Sequence, residues 1–570
     1  MLKKIFVALV FSSAMFVWSG SSFAGGHCVG STMSDAYTGG KYPQQYELSE
    51  YESAASCTMK FSDNPSIASI NATIQGNPGS LPPVEDRLPD EPLVVVPYES
   101  IGKYGNTINF LSNATEAGTS DMLSTRHVNL VRFADDLSTV VPNVAKDYEW
   151  NDEFTTLTFM LRKGHKWSNG EPFVARDVEF WYEDLMMNPK IREKPYPYLL
   201  VGGEPMTVDV IDDQTVRFNL PSPFPGLLAT LATSYNQAFM PSHFLEQFHP
   251  EIDSNADANA QALGFADGWD ALAAYYGNSG WTDTPTPLLR NPELVDGLPY
   301  AAYPSLEAYM TIEDTTEGRV YAANPYFFQV DTAGNQLPYI DYQNERYINE
   351  NEIRLLKLVN GEVDYKSQSV QLESAPQLLD GSESGGYNIQ INPGCGAALF
   401  SFNVTHPDLE KRKVYGDIRF RQAMSIALDR NEINDVAYYG MGVVEQFTGM
   451  SPAPDFVRED MKMYMTQYDP DGANALLDEV GLKDVDGDGF RELPNGEPFA
   501  MNIDYATQGI GGVEVELVAR MWNDVGVKTS FKEVTPDEYR GSQSSNALDV
   551  HAWDKGQPLA IIAGDPETFK

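Results

Sequence analysis

Asp484, Asp486 and Asp488 stand two apart and lead into Gly489, the spacing by which the first half of a calcium loop presents carboxylates around a sharp turn. Such a loop closes with a bidentate Glu at its twelfth position, and that position here is Asn495, so the stretch reads as a polar turn. Three cysteines, Cys28, Cys57 and Cys395, could form one disulfide in an oxidising compartment. Cys28 with Cys57, the nearer pair, would staple the N-terminal segment and leave Cys395 alone. No Cys-Cys-His-His spacing that would hold zinc occurs. Gly-x-Ser-x-Gly, His-Glu-x-x-His and Gly-x-x-x-x-Gly-Lys-Ser/Thr are absent, so no nucleophile elbow, zinc protease or phosphate loop is written in the chain. Paired carboxylates keep an exported hydrolase open as an alternative. Trp269 and Trp281 are candidate stacking residues, although an isolated aromatic more often belongs to a core. Arg419, Arg421 and Arg430 read as anion ligands or, more simply, as salt bridges and helix caps.

Charge and leader narrow the class. Lys plus Arg number 39 against 81 Asp plus Glu, a net charge of −42, which excludes nucleic acid as a partner and describes a solvated acidic coat. Met1-Leu2-Lys3-Lys4, an apolar run from Ile5 to Trp18, and small residues at Ser22 and Ala24 form a secretory signal peptide over 1–24. Its apolar core is too short to span a bilayer. With 42% hydrophobic and 12% aromatic residues, the 570-residue chain can bury the cores of two or more domains.

The elements that must position any site are legible in order. Residues 25–86, rich in Ser, Gly, Asn and Pro, read as an irregular extension. From Leu161 to Leu185 the chain reads strand, turn and helix. Thr155–Leu161 alternates as a half-buried strand, Ser168-Asn169-Gly170 is a tight turn, and Val178, Trp181, Tyr182 and Leu185 share one helical face. Val208 to Phe218 reads as a hairpin about Asp212-Asp213, and Ser242 as the N-cap of a short helix. A helix over 351–360 turns Ile353, Leu356 and Val359 inward and ends at a left-handed Gly361. Further on, Asp429 with Glu432 forms a capping box, and Asp469-Pro470 opens a helix that Gly481 closes. Met501–Tyr505 is a strand, Val513–Val525 a helix, and a strand follows near Lys528.

Three blocks carry a family resemblance: LRKG-x-KWSNG-x-PF-x-A-x-DV-x-F from Leu161 to Phe180, NPYFF with D-x-x-GNQLPYID from Asn324 to Asp341, and IRFRQAMSIALDR from Ile418 to Arg430. Together they resemble family 5 extracellular solute-binding proteins, the peptide and oligopeptide receptors of ABC importers, although Ala323 stands where many members carry Arg. The resemblance implies an α/β fold, a periplasmic binding protein-like two-lobed clamshell of cluster C, or type II, with mixed sheets flanked by helices. It implies lobe I over 87–395, a hinge at Gly394-Cys395-Gly396, and lobe II over 396–570, with the return to lobe I lying beyond Lys570. A monomer in the periplasm would bind a small-molecule or peptide solute and meet an ABC permease in the inner membrane. No catalytic residue, cofactor or metal is expected. In peptide-binding members a cleft Trp precedes an Asp that pairs with the ligand's amino group, then a Gly-Asp-Pro turn. The matching residues are Trp553 for stacking, Asp554 as the ionic anchor and Asp565 second, with a spacing that departs from the family's. Oligosaccharide or opine binding is the alternative within the fold.

Overall fold

The computed structural model describes residues 26–35, 40–42, 44–112, 121–136, 139–233, 237–276, 303–368, 370, 372–391, 397–446, 457–507 and 509–555. In chain order the strands begin with β1 (Gln45–Glu47), β2 (Leu93–Val95), β3 (Thr107–Ser112), β4 (Val131–Phe133), β5 (Val140–Pro142) and β6 (Ala145–Trp150). Next are β7 (Thr156–Leu161), β8 (Leu200–Val201), β9 (Glu204–Pro205), β10 (Thr207–Asp212), β11 (Thr215–Asn219), β12 (Tyr309–Thr315) and β13 (Gly318–Ala323). The series ends with β14 (Gln329–Asp331), β15 (Tyr342–Tyr347), β16 (Ala397–Phe402), β17 (Ala500–Tyr505), β18 (Lys528–Glu533) and β19 (Val550–Lys555).

Alternation in β7 sends Leu157, Phe159 and Leu161 into the core, and β7 pairs antiparallel with β6 and β11 in the sheet β10-β11-β7-β6. The turn that follows is closed by hydrogen bonds from Gly170 N–H to the Trp167 carbonyl and from Trp167 N–H to the Glu171 carbonyl, with Gly170 at φ +91°. That left-handed conformation is cheap only without a Cβ. The α-helix Ala175–Glu179 then widens into a π-helix over Phe180–Met186, where Met187 N–H reaches back to the Tyr182 carbonyl. Phe180, Trp181, Tyr182, Leu185 and Met186 are all buried there, more than one α-helical stripe can hide, and the wider turn accommodates them.

Asp177 ties this stretch to the next helix. It is 1% exposed and its carboxylate accepts from Trp167 Nε1 at 3.1 Å, Val174 N–H at 2.9 Å, Ser242 N–H at 2.9 Å and Ser242 Oγ at 2.7 Å. Ser242 is therefore not the N-cap; Pro241 is, because the hydroxyl satisfies a buried carboxylate instead. Burial pushes the Asp177 carboxyl up to about 6, against the pull of those donors.

A second sheet, β12-β13-β15-β3, carries one parallel pair, β15 with β3, and the sheet β1-β2-β14 carries another, β14 with β2. Residues within 25–86, expected to be irregular, supply β1 and the helix Leu48–Ala55. They join a core in which Tyr46, Tyr51, Met59, Val84 and Leu88 pack with Val94 and Val330. The composition reads as loop, but the open edge of β2 offers a ladder and Tyr46 and Tyr51 fill the gap beneath it. Cys28 and Cys57 are joined, with Cα atoms 5.0 Å apart.

The helix Asn351–Val359 departs from its expected orientation. Ile353 is 46% and Leu356 58% exposed, while Arg354 is buried and donates to the carbonyls of Ile348 and Asn349 at 2.7 Å. Satisfying the orphan carbonyls at the end of β15 sets the helix's rotation more strongly than its apolar stripe does.

Hydrophobic cores divide along the chain. Those of the N-terminal part draw on residues between Tyr46 and Val330, those of the C-terminal part on residues between Val414 and Ala552. The expected signal peptide, Trp281, Cys395 and the expected hinge lie outside the described residues. No helix among the described residues is long and apolar enough to cross a membrane. Trp269 packs edge-on to His249 at 4.8 Å, against the N-terminal core.

Candidate functional site

The C-terminal part is built on a β-α-β unit. Met501, Ile503 and Tyr505 alternate inward on β17, and Val515, Val518, Ala519 and Trp522 form the buried stripe of the helix Gly512–Asp524, so the helix must lie on the sheet. β18 returns parallel to β17. β19 runs alongside β17 in the same direction, since Asp549 Oδ2 accepts from Asn502 N–H at 3.0 Å at one end and Trp553 lies against Gly509 at the other. β16 pairs antiparallel with β19, with Leu399 opposite Trp553 and Ala398 opposite Asp554. The ladders β16-β19 and β17-β18 are separate two-stranded sheets standing side by side, and the carboxyl ends of β17, β18 and β19 open on one edge, the position at which ligands bind in sheets of parallel strands.

Trp553 is set on that edge by its neighbours. Its ring lies over Gly509, and a Cβ there would meet indole atoms at 2.2 to 2.4 Å, so only glycine lets the loop pass beneath. Tyr539 packs at 5.0 Å and His551 stacks at 6.5 Å from the indole, and the ring remains part-exposed. Tyr539 Oη donates to the Ala552 carbonyl at 3.1 Å and lies 2.8 Å from His551 Nδ1, and burial raises its phenol. The backbone of Asp554 follows on β19; its side chain, and Asp565 entirely, lie outside the described residues.

Sequence reasoning passed over Asp549, Glu514 and Glu373. Asp549 anchors the start of β19, accepting from Lys411 Nζ at 2.9 Å and Tyr415 Oη at 2.8 Å beside His406 at 3.3 Å. Those partners are some hundred and more residues away, which no local pattern reveals. Glu514, in the first turn of the helix Gly512–Asp524, is 6% exposed and folds back over Gly511, where a Cβ would stand 2.3 Å from its Oε2. That oxygen accepts no hydrogen bond from the described residues. Glu373 lies close enough that the Glu514 charge, after burial itself, raises its carboxyl above the usual range. The run Gly509-Ile510-Gly511-Gly512 between a strand and a helix was the available signal.

Arg419, Arg421 and Arg430 are structural: Arg419 pairs with Asp417 at 2.6 Å, Arg421 donates to the Tyr415 carbonyl, and Arg430 to Ser425. Asp429 caps its helix, but Glu432 reaches Arg520 at 2.8 Å instead of completing a capping box. In the polar turn, oxygens of Asp484, Asp486 and Asp488 lie within 4.8 Å of one another, all exposed. Asp484 accepts from the N–H groups of Gly487 and Gly489, the bonding of a turn. Two surface cavities of about 230 and 370 Å³ share Glu91 and Lys146, and neither is lined by any residue of β16 to β19.

A family model described as "Bacterial extracellular solute-binding proteins, family 5 Middle" matches residues 139–560, a span that holds Trp553, Glu514 and Glu373. The periplasmic alpha-galactoside-binding protein of Rhizobium meliloti is 28% identical over 494 residues, covering 80% of this chain but only 63% of that protein, so the chain spans under two-thirds of this relative's length. A solved oligopeptide-binding protein OppA is 30% identical, with a TM-score of 0.57 over 90% of this chain and 78% of the other. The periplasmic binding protein MelB of Agrobacterium fabrum C58, in complex with stachyose, superposes with a TM-score of 0.66 at 23% identity, over 88% of this chain and 75% of that one.

Proposed function

The chain belongs to family 5 of the bacterial extracellular solute-binding proteins, whose two-lobed α/β fold it shares, and from that premise we propose that it captures a peptide-like solute between its lobes and delivers it to an ABC permease. The observation that carries this reading is Trp553, held part-exposed over Gly509 toward the carboxyl end of β19. A platform fixed by packing loses no rotamer freedom on binding, which is how a receptor gains affinity without chemistry. Asp554 and then Asp565 supply further polar contacts, lobe I runs over 87–395 and lobe II over 396–570, and closure about the segment between them buries the solute. Binding then stabilises the closed state by the solute's differential affinity for it. The receptor works as a periplasmic monomer after removal of residues 1–24, and it is not an enzyme.

The test is a thermal-shift screen of the secreted protein against di- to pentapeptides and neutral oligosaccharides. A ligand present at a thousand times its Kd adds about 4 kcal/mol to the folded state, enough to move the midpoint by several degrees. Peptide-dependent shifts that fail in Trp553→Ala support the proposal, and no shift with either class overturns it. An oligosaccharide reading is supported by the relative named for alpha-galactosides and by the Trp553, Tyr539 and His551 cluster, which suits sugar faces.

A further inference from the structure

Lys366 and Asp121 meet away from water. The amine donates to Asp121 Oδ2 at 2.7 Å, with the two side chains 6% and 2% exposed. Every other lysine ion pair among the described residues leaves at least 12% of each side chain in water. The residues just before Lys366 are pinned along β3. Asp364 N–H donates to the Asn109 carbonyl at 3.0 Å, Asp364 Oδ2 accepts from Asn109 N–H at 2.7 Å, and the Tyr365 ring packs at 6.2 Å on Phe110. The residues just after it bind the same carboxylate, for Asp121 Oδ1 accepts from the N–H groups of Ser367 at 3.0 Å and Gln368 at 2.8 Å. Two backbone donors converging on one carboxyl oxygen are the arrangement that holds an oxyanion. Burial, aided by the charge of Arg354, lowers the Lys366 amine below its usual range in spite of Asp121. Moving one proton along the 2.7 Å line leaves a neutral amine beside a carboxylic acid, the form that a dry site favours. A nucleophile, an electrophilic carbon and an oxyanion cradle then stand together.

We propose that Lys366 and Asp121 join in an intramolecular isopeptide bond that the folded chain forms on itself. Lys366 Nζ attacks Asp121 Cγ, and Oδ1 takes the negative charge under the Ser367 and Gln368 N–H groups. Oδ2 then leaves as water with the two protons that the ammonium gives up. One N–C bond forms, one C–O bond breaks, and nothing is oxidised or reduced. Glu345, 1% exposed on β15 at the position paired with Phe110, is the buried acid on this flank and relays the second proton. The product exchanges a buried ion pair for a neutral amide, which removes the desolvation cost of two charges. It also ties residues 245 apart in sequence, fixing the segment that leads from the helix Asn351–Val359 toward β16 onto the N-terminal part. The cross-link needs no solute and stands whether or not the chain is a receptor.

The experiment is a tryptic peptide map of the secreted, folded wild type by mass spectrometry after reduction, with Lys366→Arg and Asp121→Ala beside it. The expected wild-type product is branched: peptide 104–126 joined to peptide 358–411, lighter than their sum by one water, with no cleavage after Lys366. Lys366→Arg keeps a cation for Asp121 but forms no such amide, and Asp121→Ala removes the electrophile. Each variant should restore cleavage after position 366 and give the separate linear peptides. Linear peptides at full mass as the main wild-type species overturn the proposal. So does a water lost within peptide 104–126 alone, which is a cyclic imide of Asp121 and no link, and so does a branched product that persists in Lys366→Arg. The wild-type map decides by itself if either variant fails to fold.

Discussion

Replacing Gly509 by alanine tests whether the loop below Trp553 positions the indole. The new Cβ would sit 2.2 Å from Cδ2 and 2.4 Å from both Cε2 and Cε3, against the ordinary carbon–carbon contact of about 3.5–4 Å, so ring and loop must part by more than an ångström. The ring cannot retreat freely, because Tyr539 lies 5.0 Å away. Overpacking of this kind costs about 1–3 kcal/mol. Gly509 has no left-handed φ, so alanine adds no backbone strain and recovers roughly 0.4–1 kcal/mol from the unfolded chain. The net expectation is a loss of about 0–2.6 kcal/mol in urea unfolding, with a blunted response of Trp fluorescence to solute. In a Trp553→Ala background the clash is gone and the same change should be neutral or stabilising, so the double-mutant cycle yields a coupling of about 1–3 kcal/mol. An equal cost in both backgrounds would refute the reasoning, because the penalty would then belong to the loop alone.

The remaining expectations concern the frame. Asp177 has a folded pKa of about 6, raised above its value in an unfolded chain, so its stabilising contribution is full below about pH 4 and is lost as pH rises through 6. The difference in unfolding free energy between wild type and Asp177→Asn should therefore fall by about 2–3 kcal/mol between those pH values and stay flat above them, and a rising difference would contradict the assignment. Breaking the Cys28–Cys57 bond, 29 residues apart in sequence, should cost about 3.5 kcal/mol by loop entropy. It should also expose Lys41 and Lys60 to trypsin before the body unfolds, and unchanged proteolysis would detach the disulfide from that segment's docking. With a net charge of −42, raising NaCl from 0.1 to 1 M should raise the thermal midpoint as the screening length drops from about 10 to about 3 Å, and a flat response would show the acidic coat to be energetically silent.

What could be read in advance was whatever depends on neighbours in sequence. Alternation over Thr156–Leu161, the Asn169-Gly170 turn, a helix close to Val513–Val525 and the caps at Asp469 and Gly481 are local bargains between side chains and backbone, and all are found as read. The three motif blocks identify the family because they are long runs of such bargains. Trp553 could be nominated by resemblance, but its Gly509 seat could not.

Tertiary structure decided the rest, wherever a group answers to a distant partner. Ser242 leaves its capping role because Asp177, 65 residues away, needs a donor in the core. Arg354 turns inward and Ile353 outward because the end of β15 has carbonyls to satisfy. The segment before Leu88 is ordered by an open sheet edge and a disulfide, not by its own composition. Glu514 looks like an ordinary surface acid among the 81 in the sequence. Only the fold buries Glu514, to 6% exposure, because its place over Gly511 is set by the packing of the helix and not by its neighbours in sequence.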